Sequence, residues 1–144
     1  MIKTFRGILE DGGQDQIRLQ TIQGKVGYRI VKFQLFPNKP GTTTVEAVVS
    51  IFKTPGKGSG TSTAEVDFTA TKLLAVAFHQ DRHEATYTAT ESVVFDNETF
   101  NQDIYITLTD TIGTEKCNYY IELEVIPLTD MGAEYTTIKS LRAG

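Results

Sequence analysis

The chain has no tryptophan and a single cysteine, Cys117, among 144 residues. One thiol cannot close an internal disulfide and has no cysteine partner for a thiolate metal site. Cys117 is therefore expected as a small core residue just ahead of a strand. Long apolar runs are missing as well. The longest, residues 73–78, falls far short of the ~18 residues that cross a bilayer. Residues 1–14 lack the apolar stretch of a signal peptide and meet glycine and acidic residues early. Synthesis in a cytoplasm, with no membrane association, is the expectation. Positive charge is also scarce. The 14 Lys and Arg residues against 18 Asp and Glu leave a net charge of -4. They are scattered rather than gathered into a basic stripe, which argues against a dedicated nucleic-acid binder.

Catalytic signatures are absent too. No serine-centred elbow, phosphate-cradling glycine loop or paired-histidine zinc helix occurs. Gly56, Gly58 and Gly60 alternate with Lys57 and Ser59, but the pattern never closes into a phosphate loop, and residues 55–60 read as an exposed loop. His79 and His83 stand four apart beside Asp81 and Glu84, a metal-binding spacing on a helix. The flanking pattern is strand-like, so a polar connection is the simpler account. Asp11-Gly12-Gly13-Gln14-Asp15 and Asp96-Asn97-Glu98 offer oxygen ligands but match ordinary turns better than a calcium loop. Glu122 and Glu124 lie two apart on one strand, neighbours rather than a pair facing across a cleft as glycoside hydrolysis needs.

What the chain does have is alternation. In Asn118-Tyr119-Tyr120-Ile121-Glu122-Leu123-Glu124-Val125, the apolar Tyr119, Ile121, Leu123 and Val125 share one side, and Tyr120, Glu122 and Glu124 the other. A period of two is the mark of a strand with one buried and one wet face. Residues 102–109 repeat it, with Ile104, Ile106 and Leu108 inward. Residues 15–23 do so with Ile17, Leu19 and Thr21, followed by a break at Gly24-Lys25 that suggests a hairpin. Residues 26–36 carry bulk on both faces: Val31, Phe33 and Leu35 in phase with Arg29, and Tyr28, Ile30 and Phe36 with Lys32 and Gln34. Proline and glycine at residues 37–41 end that strand. Further strands are expected at residues 2–9, 43–53, 64–68, 72–78 and 85–95. The fourth of these, residues 72–78, is also compatible with a helical turn.

The end changes character. Asp130 is a good N-cap, and Met131, Tyr135, Ile138 and Leu141 follow at helical spacing. Glu134 early and Lys139 and Arg142 late suit the helix dipole. A short amphipathic helix over residues 130–143 is predicted, which needs its own sandwich or a neighbouring subunit to lie on. With no internal repeat, residues 1–144 read as a single all-β domain: an antiparallel β-sandwich, jelly-roll-like, with an immunoglobulin-like Greek key as the competing topology.

Met1-Ile2-Lys3-Thr4-Phe5-Arg6-Gly7, Gly27-Tyr28-Arg29-Ile30-Val31-Lys32-Phe33-Gln34, Asn101-Gln102-Asp103-Ile104-Tyr105-Ile106-Thr107 and Asn118-Tyr119-Tyr120-Ile121-Glu122-Leu123-Glu124 resemble short β-rich proteins found in marine bacteriophage genomes. The resemblance spans most of the chain and is looser between residues 43 and 90. It implies a non-enzymatic virion structural protein (minor capsid, vertex or decoration subunit) and brings no site residues or cofactor with it. The expected partners are other copies of the chain, in a homo-oligomer, and other virion proteins. Tyr120 on the wet face and Met131, Tyr135, Ile138 and Leu141 on the helix are the candidate interface residues. The alternative is a glycan- or receptor-binding module of a virion appendage, which the six tyrosines and eight phenylalanines permit.

Overall fold

The computed structural model describes residues 1–19, 25–39, 45–53, 66, 68–69, 72–81, 88–95, 99–112 and 114–128. Every regular element among them is a strand: β1 (Ile2–Leu9), β2 (Gln14–Ile17), β3 (Val26–Pro37), β4 (Val45–Phe52), β5 (Leu73–Asp81), β6 (Thr88–Val94), β7 (Thr99–Phe100), β8 (Ile104–Asp110) and β9 (Cys117–Pro127). They form a four-stranded sheet of order β1-β9-β3-β7 and a five-stranded sheet of order β2-β8-β4-β5-β6. All pairings are antiparallel.

The pairings nest. β1 lies beside β9, β2 beside β8, β3 beside β7, and β4 beside β5. The front half of the chain thus pairs with the back half in reverse, as in one long hairpin rolled into two layers. That is a jelly roll, with β6 added at the edge of the five-stranded sheet. An immunoglobulin-like sandwich would not place its first strand against its last in this way. The hairpin expected around Gly24-Lys25 does not form, because β2 and β3 belong to different sheets. The expected strand over residues 64–68 is not seen at its described positions: Val66 has no regular structure and Phe68 lies in a turn, its ring edge-on to Phe95. Of residues 72–78, compatible with a helical turn by sequence, Leu73 to Phe78 are part of β5 and Lys72 lies in the turn before it. The predicted helix over residues 130–143 lies outside the described residues.

The core is the inward face of both sheets. Tyr119, Ile121 and Leu123 of β9 pack toward Ala47, Val49 and Ile51 of β4 and Ile104, Ile106 and Leu108 of β8, all buried. Each fully buried aliphatic side chain of this kind contributes about 1.5–3 kcal/mol. The sheets are also tied by a polar contact. Tyr119 sits opposite Gly7 on β1, and its hydroxyl donates to the Asp15 carboxylate on β2 at 3.1 Å. Gly7 makes room for it: a Cβ there would lie 2.7–2.9 Å from the Tyr119 hydroxyl and ring.

β3 departs from the sequence expectation. Its ladder with β9 runs Ile30 to Leu123 and then Lys32 to Glu122, so Val31 is an extra residue, a β-bulge. The bulge switches phase. Tyr28 and Ile30 point inward before it, and Phe33 and Leu35 after it; all four are buried, while Val31 is exposed. The two-faced reading of residues 26–36 assumed one uninterrupted period. β7 pairs only with Tyr28 and Arg29, the half of β3 before the bulge.

Replacing Gly7 by alanine should destabilise the protein by about 1–3 kcal/mol, the cost of overpacking a filled core. Urea unfolding measures it. An unchanged midpoint would mean that the Tyr119 ring does not rest on Gly7.

Candidate functional site

The outward face of the four-stranded sheet is laid out in rows by strand register. Ile2, Glu124 and Arg29 form one row, Thr4, Glu122 and Lys32 the next, Arg6, Tyr120 and Gln34 the third, and Ile8, Asn118 and Phe36 the last. The first two rows are charged, with Arg29 and Glu124 in an ion pair. The Tyr120 hydroxyl donates to the Glu122 carboxylate at 2.7 Å. Holding that proton against a carboxylate raises the phenol's affinity for it, so Tyr120 ionises above its ordinary range, chiefly through this hydrogen bond. The apolar exceptions are Ile2, Ile8 and Phe36, which are 49%, 45% and 64% exposed.

In the last two rows, cross-strand pairing sets Tyr120 beside Gln34 and Asn118 beside Phe36. The four side chains make a small quadrilateral, aromatic on one diagonal and primary amide on the other. A separate cleft of about 410 Å³ opens between the two sheets at the edge of β3; of its lining residues, Phe33, Leu35 and Tyr119 face inward from the four-stranded sheet, and Ala77, Thr90 and Ser92 face inward from β5 and β6. Its origin is topological. Thr90 pairs with His79 and Ser92 with Ala77, so both face the inside of the sandwich. β7 is too short to cover them, and they remain exposed. The Thr90 hydroxyl is held by the buried His79, whose Nδ1 lies 2.7 Å away.

The sequence candidates fall out as follows. Tyr120 is where its alternation placed it, central on the outer face. Met131, Tyr135, Ile138 and Leu141 lie outside the described residues, as do His83, Glu84, residues 55–60 and residues 96–98. His79 is not in a polar connection but on β5, facing inward. A strand keeps it beside Ala77 rather than on a helical metal face. Among the described residues, no three His, Cys, Asp or Glu side chains stand together to hold a metal. The Asp11 carboxylate accepts the backbone amide of Asp110 at 2.8 Å. It belongs to the turn between β1 and β2, where Gly12 takes a φ of 77°. Glu122 and Glu124 lie on one face of β9, each engaged by a neighbour. Gln34, Phe36, Asn118, Thr90 and Glu91 were not singled out by sequence. The one signal was the outward phase of Gln34 and Phe36, hidden by the bulge.

Cys117 begins β9 and is fully buried, its thiol against the Phe36 carbonyl at 3.6 Å. Burial chiefly pushes its pKa from 9.0 up to about 11. Tyr119 is likewise pushed well above the ordinary 10 by burial and by the charge of Asp15.

No protein-family model and no curated protein sequence matches the chain. Among solved structures, a similar chain is a tailspike protein from Acinetobacter baumannii bacteriophage Fri1, a capsular polysaccharide depolymerase, at 10% identity and a TM-score of 0.14. The aligned region covers 79% of this chain and 21% of that one, so the chain spans about a fifth of its length. A TM-score that low does not describe a shared fold.

The two raised pKa values set an alkaline limit. Well below pH 9.0 the Cys117 thiol is protonated in both folded and unfolded chains; between 9.0 and about 11 the unfolded thiol ionises while the folded one holds its proton. The unfolded state then binds fewer protons, and stability falls as pH rises. Tyr119 adds a loss of the same sign at higher pH. The urea midpoint is expected to drop across this window, and less steeply in Cys117→Ala. A flat profile in the parent protein would contradict the burial of both groups.

Proposed function

We propose that the chain is a non-enzymatic structural subunit of a phage virion that works by packing against copies of itself and other virion proteins. Two things support the reading. The jelly roll is a recurrent shell module of viral capsids, a fold-level analogy. The second is β1, and it carries the packing claim. This strand of eight residues bonds to β9 on one side. No strand lies on its other side among the described residues. Its outer face presents the exposed Ile2 and Ile8.

An open edge strand flanked by apolar side chains is a template for pairing with another chain. Pairing of two such edges across a twofold axis gives a closed, isologous contact. The amphipathic stripe of Met131, Tyr135, Ile138 and Leu141 belongs to the same proposal as a second contact surface. Its location is the assembled virion.

Sedimentation of the purified protein over a concentration series tests the reading. Association is expected, and Ile2→Glu with Ile8→Glu should weaken it about tenfold or more, roughly 1.4 kcal/mol. Surface changes of this kind leave stability within about 0.5 kcal/mol. A strict monomer at high concentration that also fails to bind phage particles would overturn the proposal.

A further inference from the structure

We propose that β1 pairs with the β1 of a second copy in one antiparallel register, centred on Phe5, and that Arg6 of each copy then reaches Glu122 of the other. The pairing rests on the packing role proposed for β1 and gives that role a single partner and a single alignment. It joins two four-stranded sheets into one continuous sheet.

The backbone decides which groups are on offer. The Met1 carbonyl accepts the Val125 amide at 2.9 Å. From there the ladder of β1 with β9 runs from Ile2 to Leu9 without a bulge. Along an antiparallel ladder, successive residues turn their amide and carbonyl toward one neighbour and then the other. Met1 faces β9, so Lys3, Phe5, Gly7 and Leu9 do as well. Ile2, Thr4, Arg6 and Ile8 present theirs to the open side. A second β1 bonds only where these residues meet their counterparts, which excludes every other register. The registers with the most overlap are centred on Thr4, Phe5 or Arg6.

The side chains choose among the three. Centring on Arg6 sets two guanidinium groups opposite each other, which is destabilising. Centring on Thr4 sets Ile2 against the partner's Arg6 and leaves Ile8 beyond the paired segment. Centring on Phe5 sets Ile2 against the partner's Ile8 and Ile8 against the partner's Ile2. The two exposed isoleucines of each copy are then covered. All the open backbone groups of β1 are engaged, in about eight hydrogen bonds.

Charge favours the same register. In it, Thr4 lies between Glu122 on β9 and the partner's Arg6. Two strand spacings, about 10 Å, separate that arginine from the glutamate, with only a short side chain between them. An extended guanidinium side chain closes this gap. β1 itself carries no carboxylate, so its own copy supplies the counter-charge only from β9. Lys3, on the other face, leans back over the Tyr28 ring, its ammonium 5.9 Å from the centroid, and leaves the edge clear.

The test is disulfide trapping in the full chain under mild oxidation, with sedimentation of the same samples. The parent protein, whose Cys117 is fully buried, is the blank. Residues opposite each other in a bonded pair have Cα atoms about 5.5 Å apart, within reach of a disulfide. Thr4→Cys mixed with Arg6→Cys, both at exposed positions, should give a linked dimer, and either variant alone should give several-fold less. The register is overturned if Thr4→Cys or Arg6→Cys alone links as readily as the mixture, or if the mixture associates without linking. A chain that stays monomeric in sedimentation overturns the packing role with it. Glu122→Gln, which keeps an acceptor for the Tyr120 hydroxyl, should weaken association about two- to tenfold and blunt its loss on adding salt. An unchanged salt response overturns the contact between Arg6 and Glu122.

Discussion

The structure depends on one ladder, the antiparallel pairing of β3 with β9. These are the longest strands described, and they carry the middle of the four-stranded sheet. β9 alternates without a break, so its inward face is apolar throughout. β3 does not alternate without a break, and a regular pairing would turn either Tyr28 and Ile30 or Phe33 and Leu35 to solvent. A single extra residue, Val31, resolves the conflict. One exposed valine at the bulge is a small cost beside two buried aromatic or aliphatic side chains, each contributing about 1.5–3 kcal/mol.

The same device shapes the surface. A bulge bends its strand and increases the local twist. β7 pairs with β3 only before that point, and the inner face of β6 at Thr90 and Ser92 is left uncovered. The cleft is thus a consequence of how β3 satisfies the core, not a separate feature. The phase switch also sends Gln34 and Phe36 outward, next to Tyr120 and Asn118. On the opposite side, β1 supplies an open edge with two exposed isoleucines. The proposed packing role thus sits at the β1 edge of this sheet, and the cleft at its β3 edge.

Much of this was legible in the sequence, for a physical reason. β8 and β9 each keep one period from end to end, so composition alone assigns their faces. Tyr120 was recognised for the same reason. β3 was misread because a periodic reading cannot see an inserted residue unless the partner strand is known. The switch from apolar even positions, Tyr28 and Ile30, to apolar odd positions, Phe33 and Leu35, was the available clue. His79 was misplaced because a histidine beside polar residues looks like a loop, whereas Thr90 gives it a partner inside the sandwich. The cleft was invisible because β6 meets β3 across a non-local arrangement that no local pattern encodes. The tie from Tyr119 to Asp15, 104 residues apart, was hidden in the same way.

The most direct test is the thermal unfolding of a chain lacking Val31. Ile30 pairs with Leu123 and Lys32 with Glu122, which are already consecutive on β9. Removing the extra residue therefore closes a regular ladder and moves no side chain to the opposite face. The expected result is cooperative unfolding within about 5 °C of the parent protein, a shift on the order of 1 kcal/mol. The contradicting result is loss of cooperative folding. That is the outcome if Val31 keeps the period of β3 instead of interrupting it, because the deletion would then turn Phe33 and Leu35 out of the core.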